Sequence, residues 1–419
     1  MLSAISALVA AGPASAQANH HPYPIGERAT GLAGAFTALS DDAAGAWYNP
    51  AGLAFARQDS VSVSATLYGL VGASYPDSLG AGLHYDYATI NVIPSSIASL
   101  IRVGAQRRDG TRPFSLAFNV FNPNTYQIDR RLQARERNTT LLVSTSDRLI
   151  AAGPSLGWRV SERLAIGASV LATLHTFADR VDLTDVRPAE FVQFTSYVES
   201  LSVGIAASIG VRYNLRSNVS LGLSARTPSL PVWGSGERFE RTVRAPDGGR
   251  TTADSVLLTV GANRLWPALF RAGAAWSLAD RFTLTADASL SLPLRFVALR
   301  AADGSPVSAV RLKAVVNGAL GAEWRARPAI ALRAGVFTDL SSAPTPLVDD
   351  SRIDQVDQLG ATLTGTWFVR EASTTLGAIA TYGRARVTGV DVTGGTYAPF
   401  VVDGEQWRIF LVLAGTTRL

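Results

Sequence analysis

The sequence predicts an all-β chain: a transmembrane up-and-down antiparallel β-barrel of about 14 strands with an N-terminal, partly helical hatch inside the lumen. Three observations carry that expectation. Apolar and polar residues alternate with period 2 from Asp59 almost to Leu419, the connections between alternating segments are long and short in turn, and Trp and Tyr gather just before the short turns.

The alternating segments are 59–70, 92–103, 113–122, 148–160, 164–177, 199–214, 218–228, 267–277, 281–298, 311–325, 329–339, 357–368, 372–386 and 404–415. Long connections follow the odd segments (71–91, 123–147, 178–198, 229–266, 299–310, 340–356 and 387–403). The even ones end in tight turns such as Ser161-Glu162-Arg163, Arg216-Ser217-Asn218 and Ala326-Arg327-Pro328. An even strand number with long loops on one side and short turns on the other is the pattern of an outer-membrane barrel.

Individual segments display two faces. In Phe282 to Leu292 one parity is apolar and the other carries Thr, Asp and Ser. Leu201, Val203, Ile205, Ala207, Ile209 and Val211 oppose Ser202, Gly204, Ala206, Ser208, Gly210 and Arg212. Likewise Leu312, Ala314, Val316, Leu320 and Trp324 oppose Lys313, Asn317, Glu323 and Arg325. A soluble sandwich also alternates, but it rarely keeps so regular a loop rhythm. Trp158, Tyr213, Trp276, Trp324 and Trp367 each precede a short turn, which places them at one height as an aromatic girdle.

Composition excludes other classes. The chain has 419 residues, 47% of them hydrophobic, yet no run of 18 apolar residues follows the first few positions, so helical membrane spans are not expected. The net charge is +5 and Lys313 is the only lysine. The arginines are dispersed, so a nucleic-acid partner is not expected. Absence of Cys accords with an oxidising compartment.

The domain expectation is a signal peptide at 1–16, a hatch or plug at 17–57 and the barrel at 58–419. Leu2 to Ala11 is a short apolar run and Ala14-Ser15-Ala16 has the small-x-small form of a cleavage site, although no Lys or Arg precedes it. A barrel of this strand number has a lumen too wide for its own side chains to fill, and inward Gly, Ala and Ser widen it further. The segment from about Gln17 to Arg57 precedes the first strand on the short-turn side and is long enough to enter. Leu32, Phe36 and Leu39 share one helical face, Gly31 and Gly34 permit close approach to a wall, and Asn49 with Pro50 reads as N-cap and N1 of a short helical turn through Leu53.

Gly31, Gly34, Ala35, the Asp41-Asp42 pair and Asn49-Pro50-Ala51 are similar in kind, order and spacing to the N-terminal hatch of the FadL/TodX family of outer-membrane transport proteins for hydrophobic compounds. Arg333 to Asp339, a Pro-containing loop, and Leu359 to Leu363 resemble the family's late strand pair, and the resemblance covers nearly the whole chain after residue 16. It implies passive uptake of long-chain fatty acids or aromatic hydrocarbons through the outer membrane of a Gram-negative bacterium, by a monomer with no cofactor. The hatch or gate residues are then Arg28, Gly31, Gly34, Phe36, Asp41, Asp42, Asn49, Pro50 and Ala51. Outer-membrane lipid and lipopolysaccharide are expected partners beside the hydrophobic solutes.

The family resemblance also implies a lateral opening beside a kinked third strand. Proline cannot donate to a ladder, so Pro94, Pro154 and Pro293 each mark a bulge, kink or strand end. The nearest match to the kink, Asn122-Pro123, falls at the end of the third alternating segment. The chain ends Thr417-Arg418-Leu419, where barrels of this type commonly end in an aromatic residue.

No enzyme and no metal site are expected. There is no Gly-x-Ser-x-Gly, no His-Glu-x-x-His and no Cys, and His20, His21, His84 and His175 lack metal-binding spacing. His175 is the one candidate base for a surface lipase. Arg130, Arg131, Arg135 and Arg137 form a cationic run in the loop after the third strand, suited to steering carboxylates, gripping lipopolysaccharide phosphates or simple solvation. Alternative readings of the whole are a general porin and a secretion-associated scaffold.

Overall fold

The computed structural model describes residues 19, 23–78, 80–107, 112–134, 138–188, 190–279, 281–344, 354–391 and 399–419. Segment 1–16, His20, His21, Arg135 and Arg137 lie outside them.

Fourteen antiparallel strands close into a barrel. The first six are β1 (Ser60–Tyr75), β2 (Tyr85–Val103), β3 (Phe114–Ala134), β4 (Thr139–Arg159), β5 (Leu164–Arg187) and β6 (Glu190–Arg216). The next four each consist of two stretches: β7 (Val219–Arg226 and Leu230–Pro246), β8 (Thr252–Ala262 and Leu269–Leu278), β9 (Phe282–Ser291 and Leu294–Ala301) and β10 (Pro306–Leu312 and Val315–Arg327). The last four are β11 (Ile330–Asp339), β12 (Gln355–Val369), β13 (Ala372–Val390) and β14 (Pro399–Arg418). β1 pairs with both β2 and β14, which leaves no open edge in the ring.

The apolar parity faces outward. Ile209, Leu223 and Val316 are 64%, 61% and 62% exposed, while Gly210, Arg212 and Asn317 beside them are buried against the interior. This inversion of the soluble-protein pattern is what a hydrocarbon surround requires. Trp158, Tyr213, Trp276, Trp324 and Trp367 all face outward within a few residues of the short turns, and the Phe282 and Trp324 rings stack across neighbouring strands.

The strands are longer than the alternation predicts. β5 and β6 have 24 and 27 residues, where about 10 suffice to cross a bilayer. Much of 123–147, 178–198 and 229–266, expected as loop, therefore continues the sheet on the long-loop side. Beyond the bilayer both faces meet water, so the apolar-polar alternation fades while the backbone ladder persists. Arg130 and Arg131 accordingly lie on β3 and not in a loop.

Two local irregularities also depart from the sequence reading. Leu312, which the alternation places outward, is buried, because the break at 313–314 shifts the parity of β10. Asn122-Pro123 sits within β3, not at its end. The ladder to β4 slips by one residue between Phe121 and Asn124, a β-bulge that the polar stretch above it concealed.

Candidate functional site: the filled lumen

Residues 23–56 run along the inner wall and are nearly all buried. They do not form the continuous amphipathic helix that Leu32, Phe36 and Leu39 suggested. Helix α1 covers Glu27–Gly31 and α2 covers Gly45–Tyr48, followed by a 3-10 turn over Pro50–Phe55. Ala33, Gly34 and Ser40 have φ of 55°, 82° and 44°, in the left-handed region that stops a helix. A segment enclosed on every side has no polar face to display, so helical periodicity misleads here.

The Asn49-Pro50-Ala51 triplet is positioned by its own backbone and by the wall. Asn49 Oδ1 accepts from the Ala51 N–H at 3.1 Å, capping the 3-10 turn with Pro50 in its first position. Its Nδ2 donates to the Thr37 carbonyl at 2.9 Å and to the Val211 carbonyl at 3.0 Å. One fully buried amide thus joins two parts of the segment to β6.

Glycines make this approach possible. A Cβ on Gly210 would stand 1.9 Å from Asn49 Oδ1, one on Gly222 2.2 Å from the Thr37 carbonyl oxygen, and one on Gly167 2.4 Å from the Ala51 nitrogen. Gly157, Gly273, Gly321 and Gly335 meet the same segment from other strands. From the segment's side, Gly31 abuts Thr364 and Arg333 of the wall. The inward glycines that seemed to widen the lumen instead receive the backbone that fills it.

Polar groups fasten the segment around the circumference. Arg28 makes a bidentate pair with Glu323 at 2.9 and 3.0 Å and reaches Asp41 at 2.9 Å, and Arg333 shares Glu323 at 2.6 Å. Ser373, Thr375 and Thr416 all donate to the Glu27 carboxylate. Asp287 Oδ2 accepts from the N–H groups of Phe36 and Thr37, while Arg212 and Arg271 donate to the Leu39 and Trp47 carbonyls.

Charge within the segment is set by these neighbours. Burial opposes ionisation of Asp41, but Arg28 and Arg212 outweigh it and hold the carboxyl below its ordinary value. Burial, then the charge of Asp41, pushes Asp42 up to about 7. Burial also works against the Arg28 charge, and Glu323 and Asp41 overcome it.

Higher in the lumen the chain follows a path not legible in the sequence. Asn19 donates to the carbonyls of Asp339 and Val356, near the long-loop ends of β11 and β12. The Tyr23 hydroxyl donates to the Asn122 carbonyl at 2.7 Å. Phe121, just before that bulge, packs on Trp47 with ring centroids 5.4 Å apart.

The β2–β3 ladder stops at Ser96–Phe121, level with the bulge. Below it every residue pair to Val103–Phe114 is in register, whereas above it the described residues of β2 pair only with β1, and β3 only with β4. Pro94 keeps its place opposite Thr66. Pro154 interrupts the β4–β5 ladder for two residues without changing its register, and Pro293 falls in the break of β9.

Among the described residues, a central cavity of about 60 Å³ lies beside the segment, lined by residues that include Tyr23, Trp47, Tyr48, Arg271, Asp287 and Phe337. His175 faces inward, buried, with Nε2 2.9 Å from Asp147 Oδ1, and so is not placed on the outer face as a surface lipase would need. Among the described residues no cluster of three metal-ligating side chains occurs.

Solved structures with the same architecture are identifiable. A Pseudomonas aeruginosa FadL homologue aligns over 96% of this chain and 99% of its own, with a TM-score of 0.68 and 12% identity. The Pseudomonas putida toluene transporter TodX aligns over 96% and 99%, with a TM-score of 0.67 and 14% identity. The fold is that of the FadL and TodX barrels. The CymD monoaromatic hydrocarbon channel also aligns, over 94% and 98% with a TM-score of 0.62 and 14% identity. No family model matches the sequence, and no curated protein matches it at sequence level.

Proposed function

We propose that this protein is a non-enzymatic outer-membrane channel of a Gram-negative bacterium for passive uptake of hydrophobic molecules, long-chain fatty acids or aromatic hydrocarbons, with residues 23–56 as its gate. The observation that carries the reading is the joint occurrence of a filled lumen and an interrupted wall. The central cavity beside the segment, about 60 Å³, is far below the several hundred Å³ of a typical ligand pocket, so passage past it requires the N-terminal segment to move. At the same level the β2–β3 ladder ends, and Tyr23 of the segment is tied to the bulge beside it.

In this mechanism a solute captured among the long loops meets Tyr23, Trp47 and Phe337, displaces the segment, and leaves sideways between β2 and β3 beside Asn122-Pro123. Lateral delivery keeps an apolar molecule out of water throughout, so a concentration gradient alone suffices. The fold likeness to FadL and TodX supports this reading, and a filled lumen disfavours a general porin. Outer-membrane lipid and lipopolysaccharide surround a monomeric barrel.

The test is uptake of radiolabelled oleate and toluene by cells carrying or lacking the gene. Faster uptake with the intact gene is expected, and it should fall when residues 23–56 are tethered to β6 through engineered cysteines. Equal uptake with and without the gene would leave a scaffold role standing in its place.

A further inference from the structure

A second section of wall is interrupted, on strands remote from the β2–β3 seam. β7, β8, β9 and β10 all break, at 227–229, 263–268, 292–293 and 313–314, and the register places these breaks side by side at one height. Between β7 and β8 the ladder is absent from Arg226–Leu269 up to Ser235–Gly261. Between β8 and β9 it is absent from Leu269–Ser291 up to Ala262–Leu299.

The segment between, Asn263 to Ala268, is held by few bonds. Across the β7 seam, Trp266 N donates to Ser229 Oγ at 2.7 Å and Ser229 N to the Trp266 carbonyl at 3.2 Å. Across the β9 seam, Asn263 N donates to the Ala298 carbonyl and Leu292 N to the Ala268 carbonyl. Exposed apolar residues lie both below the break, at Leu221 and Leu223, and above it, at Leu230, Val232 and Trp233, so it falls within the apolar band. Irregular backbone at that depth persists only where it is buried in protein or lines a cavity.

Inside and outside the panel, two features face each other. On the lumen side Trp266 is buried with its ring 5.8 Å from Trp47 of the N-terminal segment, and the Arg226 guanidinium lies over both rings. On the lipid side, just below the break, an apolar cleft of about 450 Å³ spans β6 to β10, walled by Ile209, Leu223, Phe270, Leu290 and Val316. Its lining also includes Ser224, Arg271 and Ser289, whose strand parity is that of the lumen, so only the wall separates it from the interior.

We propose that this cleft is a second binding site for the transported solute, an uncharged ring or hydrocarbon chain, and that the Asn263–Ala268 panel is its door. The proposal rests on the channel reading above. Movement of the N-terminal segment withdraws Trp47 from Trp266, which frees the panel, and the solute passes from lumen to cleft without meeting water. The cleft shares Arg271, Ala288 and Ser289 with the lining of the central cavity, across a single thickness of wall directly below the break, and this favours the solute as occupant over a membrane acyl chain.

The test uses a hydrophobic diazirine probe given to intact cells expressing the full-length protein, followed by irradiation and mass-spectrometric mapping. Wild-type protein should be labelled at lumen residues near Trp47 and at cleft residues Leu223 and Leu290. Trp266→Ala or Ser229→Ala, which loosen the panel, should raise cleft labelling at least threefold. Ala272→Trp, which fills the cleft from the lipid side, should lower it at least fivefold while lumen labelling stays unchanged. Cleft labelling indifferent to both panel variants would mean that the cleft is loaded from the bilayer, and would overturn the door. Lumen labelling without cleft labelling overturns the second site alone, whereas absence of lumen labelling also overturns the channel reading.

Discussion

The Tyr23 hydroxyl and the Asn122 carbonyl, 99 residues apart in the chain, form one 2.7 Å hydrogen bond between the segment that fills the lumen and the bulge where a wall seam ends. Such a bond contributes on the order of 1 kcal/mol, enough to shift a local opening equilibrium about fivefold. Tyr23→Phe should therefore increase amide exchange at residues 122–126 by about that factor while the barrel's resistance to heat is unchanged. Equal exchange in both proteins would show that the bond does not hold the seam.

Asn49 uses both ends of its amide, so its replacements can be ranked. Asp caps a helical turn as well as Asn but cannot donate to the Thr37 and Val211 carbonyls. Asn49→Asp should thus release the segment at least as much as Asn49→Ala, each by about 1–2 kcal/mol. Limited proteolysis within residues 23–56 measures this. An aspartate as stable as wild type would mean that capping alone matters.

Gly210→Val inserts carbon where Asn49 Oδ1 already stands. The barrel, closed by ladders that the valine does not interrupt, should still fold and keep a gel mobility that shifts on heating, while the segment becomes protease-sensitive. Overpacking of this kind costs about 1–3 kcal/mol. Loss of the folded barrel itself would place the segment within the folding core.

Removing the charge of Glu323 should be severe. It is 3% exposed and shared by Arg28 and Arg333, so Glu323→Gln leaves two guanidiniums under-neutralised in a dry site. The expected loss is about 3–5 kcal/mol, read as unfolding at lower denaturant. A change below about 1 kcal/mol would show that water reaches the cluster.

The paired aspartates make attachment of the segment pH-dependent in opposite senses. Asp42, facing Asp41, Arg28, Glu27 and the Ala44 N–H, is raised to about 7. Between its ordinary value and 7 the packed state binds more protons than the released one, so attachment weakens as pH rises through that window. Asp41 is lowered, so its contribution is present above the ordinary carboxylate value and is lost in acid. Protease release of the segment should rise from pH 5 to 8 in the wild type and stay flat in Asp42→Asn.

How far the fold was legible follows from where lipid touches it. The strands that carry Leu223, Leu284 and Trp324 turn these residues outward and the alternate ones to the lumen, so the sequence there shows a countable alternation. The upper halves of β3, β5 and β6 meet water on both faces, and that pattern fades although the backbone pairing does not. The bulge at Asn122-Pro123 and the break at 313–314 change parity by a single residue, which local composition barely marks. The contacts of the N-terminal segment are governed by tertiary enclosure: Leu32 and Phe36 are buried as their apolar character suggests, but in turns and not along one helix. The inward glycines were the available signal for the close approach, since an unfilled lumen gives no reason to omit side chains at 157, 167, 210, 222, 273, 321 and 335.

On the proposed channel reading, those seven glycines have a further effect when the N-terminal segment moves. Where these glycines lie the wall has no side chain of its own to collapse into the vacated space, so there the bore is set by backbone, with inward side chains such as Arg212 and Asp287 beside it. Its floor would be peptide groups already paired within the sheet, smooth and indifferent to the shape of what slides past. On that reading, selectivity for one solute over another would rest on those inward side chains and on the aromatic residues and loops that meet the molecule first.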